Sequence, residues 1–223
     1  MIEQILCPPI ATAETFDDDR AAVLFPEEKA AVAGAVESRR REFSTGRACA
    51  RAALSRLGKP PVPIPSGPRG APQWPQGVTG SITHCPGYRG AAVAWTRDVV
   101  SLGLDAEPNE PLPDQGMLDI IATEPERVRL AGLAEANPRI SWERLLFSAK
   151  ESVYKTWFPL TGRWLDFESA DIVIDPASGT FTAFLLVQGP AEGLVINGLP
   201  LDRLHGRWRA DQGLLVTAIA VPA

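Results

Sequence analysis

Between Gly58 and Gly77 the run GKPPVPIPSGPRGAPQWPQG places seven prolines and four glycines in twenty residues. Proline fixes φ and removes an N–H, so this run can be neither a helix nor the centre of a sheet. It must be an extended loop, and everything else has to fold around it. An interdomain linker is one reading. Ile64 and Trp74 are too apolar for a freely solvated tether, and proline-rich loops hold their shape at low entropy cost, so a packed loop that shapes a pocket is expected.

On its N-terminal side, Pro26 to Leu57 reads as one or two helices, with Phe43, Ala50, Leu54 and Leu57 at helical spacing and Gly58 as the stop. At 100° per residue Arg40, Arg47 and Arg51 share one edge of that apolar stripe, either a solvated charged face or a basic rim for an anion. On its C-terminal side, GAAVAWTRDVVSLGLDAE (90–107) reads as a β-hairpin turning near Arg97 and Asp98. Strand alternation puts Leu102, Leu104 and Ala106 on one face and Gly103, Asp105 and Glu107 on the other, with the two carboxylate residues roughly 7 Å apart.

ISWERLLFSAKESVYKTWFP (140–159) reads as a helix ended by Pro159, with Trp142, Leu145, Leu146, Ala149, Val153 and Trp157 as its core stripe. ADIVID with TFTAFLLV, and GRWRAD with LLVTAIAV, read as two further hairpins. Element order therefore runs helix plus antiparallel strands, twice, which is an α+β fold without a sequence repeat.

The 223 residues are 45% hydrophobic, enough to bury the core of one large domain or two small ones. A formal net charge of −5 argues against a nucleic-acid partner, whose phosphates would have to be matched by Lys and Arg. The opening MIEQILCPPIATAETFDDD has no basic region leading into an apolar one, and no stretch holds about 18 unbroken apolar residues, so a chain neither exported nor in the membrane is expected. Cys7, Cys49 and Cys85 have no CxxC spacing, which favours reduced cytoplasmic thiols over disulfides or a zinc site.

Glu151 lies opposite the core stripe of its helix with Lys155 one turn on, an i, i+4 pair that a solvated face would also display. Phe147, Phe158 and Tyr154 project to the same side, so the face is expected to be covered, by a ligand or by another domain. Asp105, Glu107 and Glu151 together offer three hard oxygen donors suited to Mg²⁺, although Asp-x-Glu at a strand end also serves turns and caps. GSITHC (80–85) adds Ser81, Thr83 and His84 as groups for a phosphate. A Cys85–His84 dyad is geometrically poor, since adjacent strand residues face opposite ways. His205 is too remote in sequence to place. These residues together point to a Mg²⁺-dependent enzyme acting on a phosphate or diphosphate ester.

GSITHC, LGLDAEP and FSAKESVYKTWFPLTGRWLDF, in that order and spacing, resemble the 4′-phosphopantetheinyl transferases of the surfactin- and enterobactin-synthetase type, particularly actinobacterial members. The resemblance runs from about Arg39 to Phe167, with Phe147 where some members carry Trp. It implies two similar helix-plus-antiparallel-sheet halves, 1–110 and 111–223, related by a pseudo-twofold axis, with the active site in the cleft between them. It implies transfer of the phosphopantetheine arm of coenzyme A to a serine of an apo acyl or peptidyl carrier protein in polyketide, nonribosomal peptide or siderophore synthesis, releasing adenosine 3′,5′-bisphosphate, in a cytoplasmic monomer.

By the same resemblance, Asp105, Glu107 and Glu151 would hold Mg²⁺, Glu151 would accept the serine proton, and Lys155 would neutralise the diphosphate. Lys150, Ser81 and His84 would contact coenzyme A phosphates, Arg39 and Arg47 its 3′-phosphate, and Arg69 its nucleotide side. A straight helix places Arg39 near the core stripe. Ala106 departs from relatives with a polar residue between the carboxylates. In 113–138, Met117, Leu118, Ile120 and Ile121 are either a patch for a carrier helix or core. The alternatives are a non-catalytic coenzyme A-binding module, a Mg²⁺-dependent phosphoester hydrolase and a structural scaffold.

Overall fold

The computed structural model describes residues 1–114, 116–186, 195–196 and 199–223. In the first half, β1 (Ala11–Thr15) is followed by a short α1 (Pro26–Lys29) and the long α2 (Glu37–Arg56), and then by β2 (Val78–Cys85) and β3 (Tyr88–Trp95). These strands form an antiparallel three-stranded sheet ordered β1-β3-β2. Ala50, Ala53 and Leu54 of α2 are fully buried on it against Ala91 and Val93. The proline-rich loop returns over the same helix and buries Ile64 completely.

The second sheet is five-stranded, in the order β4-β10-β9-β6-β5. It comprises β4 (Val99–Pro108), β5 (Ala170–Asp175), β6 (Thr180–Leu185), β9 (Arg203–Asp211) and β10 (Leu214–Pro222). Between β6 and β9 the short β7 (Val195–Ile196) and β8 (Leu199–Pro200) pair with each other. The two hairpins expected in this region are both present, β5 with β6 and β9 with β10; Val187, the last residue of TFTAFLLV, lies outside the described residues.

The expected 90–107 hairpin does not form. Its two apolar runs are β3 and β4, joined by a tight turn closed by Asp98 N–H on the Trp95 carbonyl, 2.9 Å. Each enters a different sheet, and β4 pairs along its length with β10. The physical reason lies in burial on both faces. Leu102, Leu104 and Ala106 pack into a shared core with Tyr88, Ala92, Val216 and Ala218, while Gly103 faces the helix α5 (Trp142–Thr161).

β4 is the edge strand of its sheet, and its outward amides are still satisfied. Leu104 N–H donates to Ser81 Oγ at 3.0 Å and Ala106 N–H to Thr83 Oγ1 at 2.9 Å, so β2 lies beside β4 running the same way, joined by hydroxyls in place of a ladder. β4, inside the first half by sequence, is thereby hydrogen-bonded into the sheet of the second.

Helix α5 buries Trp142, Leu145, Leu146, Ala149, Val153 and Trp157 against β4 and β10, as its stripe predicts. It does not end at Pro159. A proline near the C-terminal end removes one hydrogen bond from a helix about to stop, and the helix runs to Thr161, where Gly162 adopts φ 66° and donates to the Phe158 carbonyl at 2.8 Å. Two shorter helices, α3 (Gly116–Ile121) and α4 (Glu124–Ala136), cover the second core. Of the apolar residues in 113–138, Ile121 is core, Met117 and Leu118 pack against it, and Ile120 is exposed. No helix among the described residues is long and apolar enough to cross a membrane.

Candidate active site

The site is set where α5 crosses β4, and the crossing depends on Gly103. A Cβ there would collide with the Ser152 carbonyl and Thr156 Oγ1. With only hydrogen present, the helix backbone settles onto the strand, and its outward face places Lys155 on the carboxylate that alternation turns toward it. Lys155 Nζ donates to Asp105 Oδ1 at 2.6 Å and to the Leu104 carbonyl at 3.2 Å. Thr83 Oγ1 lies 3.4 Å from the same Oδ1. Asp105 is buried, and its Oδ2 has no hydrogen-bond partner among the described residues.

Glu107 is held by Arg144 of α5, Nη1 to Oε2 at 3.0 Å, and the same guanidinium donates to the carbonyls of Glu110 at 3.2 Å and Pro111 at 2.6 Å. Burial, with Asp105 as a like charge, still pushes the Glu107 carboxyl up to about 7. Burial and then Asp105 also raise the Glu151 carboxyl, against the pull of Lys155. Burial alone would lower the Lys155 ammonium, but Asp105, Glu151 and Glu107 more than offset it and the group is raised.

Asp105, Glu107 and Glu151 were expected to form a metal triad. Among the described residues no group of three or more His, Cys, Asp or Glu side chains converges as a ready-made metal cage. The reason is that cations already stand on two of the three carboxylates, Lys155 on Asp105 and Arg144 on Glu107. The donor set nevertheless fits a hard divalent cation. A buried carboxylate oxygen has no hydrogen-bond partner among the described residues, and two further carboxyls are held above their ordinary range by burial and by the like charge of Asp105, both of which a bound cation would relieve.

His84, at the end of β2, meets Arg39 of α2, with Nε2 and Nη1 2.6 Å apart. Arg39 is exposed rather than on the core stripe, and it also reaches Glu42 Oε2 at 3.3 Å. Ser81 is buried and its hydroxyl accepts the Leu104 amide, leaving its own proton free to donate. Arg69, at φ 55° in the proline-rich loop, lays its guanidinium 4.8 Å from the ring centroid of Trp164.

Two further residues expected on the ligand hold groups of the protein itself. Arg47 is buried, donating from Nε to the Ile64 carbonyl at 2.8 Å and from Nη2 to Ser66 Oγ at 3.2 Å, so it anchors the proline-rich loop. Burial lowers its pKa to about 10. Lys150 is also buried, its ammonium 2.8 Å from Glu126 Oε2 and 2.7 Å from the Phe167 carbonyl, which ties α5 to α4 and to the chain entering β5. The supposed basic rim dissolves further. Arg51 pairs with buried Glu28 at 2.8 Å, and Arg40 donates to the Ala33 carbonyl at 3.1 Å.

Two cavities adjoin at this place. One of about 420 Å³ is walled by residues 67–74 of the loop, by 79–82 of β2 and by Glu151, Lys155 and Phe158. The loop thus shapes a pocket, as its composition predicts. The other, about 240 Å³, lies toward Trp164 and Phe167. Glu151 and Tyr154 line both and form the partition.

Sequence reasoning missed Arg144, Glu42 and Arg89. Arg144 stands seven residues before Glu151, on the same helix face after two turns, and that spacing was a usable signal. Arg89 is the register partner of His84 across the β2–β3 turn, and it pairs with Asp18 at 2.9 Å and Glu42 at 3.7 Å.

The model for the 4′-phosphopantetheinyl transferase N-terminal domain matches residues 27–94, and that for the 4′-phosphopantetheinyl transferase superfamily matches 101–196. The chain is 60% identical over 206 residues to 4′-phosphopantetheinyl transferase Svp of Streptomyces mobaraensis, covering 92% of this chain and 82% of that one. It is 45% identical over 212 residues to 4′-phosphopantetheinyl transferase PptT of Mycobacterium tuberculosis, covering 95% of this chain and 92% of the relative. Against 4′-phosphopantetheinyl transferase Npt of Nocardia iowensis the identity is 45% over 227 residues, at 99% of each chain. Identity at this level across nearly the whole length includes both sheets and the cleft between them, and the chain belongs to the 4′-phosphopantetheinyl transferase family.

Proposed function

We propose that the Asp105–Lys155 pair, with Glu151 beside it on the partition between the two cavities, is where the phosphopantetheine arm of coenzyme A passes to a serine hydroxyl of an apo acyl or peptidyl carrier protein. One observation carries the reading: a lysine ammonium fixed on a buried aspartate, next to a glutamate carboxylate that makes no hydrogen bond or ion pair among the described residues. Such a pair supplies a cation for an anionic leaving group and a base for the nucleophile in one place.

Asp105, Glu107 and Glu151 would hold Mg²⁺. Bound there, it would offset charge on the diphosphate oxygens. The chain's own residues do the rest. Glu151 accepts the proton of the serine hydroxyl as the serine oxygen bonds to the phosphorus that carries the pantetheine arm. The bond from that phosphorus to the bridging oxygen breaks, and the electron pair leaves with adenosine 3′,5′-bisphosphate. Lys155 neutralises the charge that gathers on this leaving oxygen, the point where phosphoryl transfer most needs help. Arg39, Ser81, His84 and Arg69 bind and orient the nucleotide side. Tyr154, Phe158 and Trp164 limit water near the phosphorus, which favours serine over hydrolysis.

Two helix-on-sheet halves, α2 with β1-β3-β2 and α5 with β4-β10, support a pseudo-twofold arrangement in which a monomer supplies the whole cleft. Three free thiols suit a reducing cytoplasm. The test is incubation with coenzyme A, Mg²⁺ and a panel of apo carrier proteins while carrier mass is followed. Gain of one phosphopantetheine on the carrier serine is expected. Coenzyme A consumed at the same rate without any carrier would make the protein a hydrolase and overturn the reading.

A further inference from the structure

His84 is surrounded by charge. Arg39 and Glu42 face it from α2, Arg89 from β3 and Lys155 from α5, with Asp18 behind Arg89. A guanidinium carries only donors, so Nε2, 2.6 Å from Arg39 Nη1, must present its lone pair. The ring proton then sits on Nδ1, toward Glu42 Oε2 at 3.8 Å. Burial, then Arg39, with lesser contributions from Lys155 and Arg89, outweighs Glu42 and holds the imidazole pKa down at about 4. The ring is neutral in the free protein.

In that state the ring itself is closed to an anion, although Arg39 keeps further guanidinium donors. Arg39 directs a donor into the ring, and Nε2 shows a lone pair to any approaching phosphate oxygen. Both groups can accept an anion only if Arg39 turns that donor onto the phosphate and Nε2 gains a hydrogen, and Glu42 beside Nδ1–H favours a proton from solvent over a shift of the ring's own. A phosphate beside the ring favours that change, because it puts negative charge where the guanidinium stood.

We propose that Arg39 and His84 form a proton-coupled clamp for a coenzyme A phosphate, in which anion binding takes up one solvent proton at His84 Nε2 while Glu42 keeps the opposite Nδ1–H in place. This rests on the reading that coenzyme A binds here. Glu42 is a positioning residue in this scheme, lying 3.3 Å from Arg39 Nη1 and 3.8 Å from His84 Nδ1. Where the free ring is neutral and the bound ring charged, affinity falls as pH rises, by up to about tenfold per pH unit.

The test is calorimetric titration of coenzyme A into the full chain, in buffers of different ionisation enthalpy, which counts protons exchanged on binding. The His84→Gln difference removes the contribution of coenzyme A's own phosphate ionisation. The wild type should take up close to one proton more than His84→Gln near pH 6.5, and less of one near pH 8. Glu42→Gln should shrink that excess, since it removes the negative charge that steadies the imidazolium. Arg39→Gln, a change on the exposed face of α2, should shrink it too, because the free ring then loses one of the charges that oppose its protonation, and this variant serves if His84→Gln fails to fold. Equal proton counts in wild type and His84→Gln, with affinity lowered in the variant, would overturn the clamp and leave the coenzyme A reading standing. Unchanged affinity in both His84→Gln and Arg39→Gln would instead remove coenzyme A from this place.

Discussion

Lys155 and Asp105 meet where a helix crosses a strand, Nζ 2.6 Å from Oδ1, while Oδ2 of the same carboxylate is buried without a hydrogen-bond partner among the described residues. The lysine satisfies one oxygen and leaves the other, so the pair is complete as charge and incomplete as coordination. Loss of Lys155 should therefore remove the cation from the leaving oxygen. Lys155→Ala should lower transfer about 100-fold or more, on the scale of deleting one preorganised donor in a reacting centre. Carrier mass followed over time reads this directly, and transfer within tenfold of wild type would rule out the assigned role.

The Glu151 carboxylate makes no hydrogen bond or ion pair among the described residues, so the amide of Glu151→Gln breaks no side-chain hydrogen bond. The variant should melt within a few degrees of wild type and transfer at or near background. Retention of most activity would mean that another group takes the serine proton.

A divalent cation that uses the open oxygen of Asp105 should stabilise the folded chain in proportion to its occupancy. Millimolar Mg²⁺ should raise the melting temperature of the wild type, and chelator should reverse it. Asp105→Asn should respond little. An equal rise in the variant would place the ion elsewhere.

Gly103→Ala tests how the centre is assembled rather than what it contains. The new methyl collides with backbone on α5, so α5 must lift, at a cost of about 1–3 kcal/mol. Urea unfolding should show the loss, and transfer should fall with it because Glu151 and Lys155 ride on the displaced helix.

The thiols should divide cleanly. Burial raises Cys85 to about 12 and Cys49 to about 11, whereas Cys7 is exposed. Since the thiolate is the reactive form, iodoacetamide near pH 8 should alkylate Cys7 alone in the native chain and all three after denaturation, as counted by intact mass.

Much of this centre was legible because it obeys local periods. Alternation along β4 separates Asp105 from Leu104, and the helical repeat of α5 separates Glu151 and Lys155 from Val153 and Trp157. What failed was partnership. The partner of β4 is β10, more than a hundred residues on, and two adjacent valine-rich runs look like a hairpin because local pattern carries no trace of a distant strand. The intramolecular partners of Arg47 and Lys150 were hidden for the same reason. Each looks like a free cation in sequence, and each is buried against a carbonyl that only the folded chain brings near, Ile64 for one and Phe167 for the other.

The hydroxyl seam between β2 and β4 has a mechanical consequence. Strands in a ladder separate only by unzipping bond after bond. Here, the described contacts joining the two strands' backbones include two side-chain hydrogen bonds, from Leu104 to Ser81 and from Ala106 to Thr83, and each hydroxyl can swing on its own χ1 to follow a receding amide or hand it to water. The cleft is thus hung on a compliant edge. Adjustment along it is local, because the core that Tyr88 and Ala92 share with Leu102, Leu104 and Val216 keeps the two sheets together.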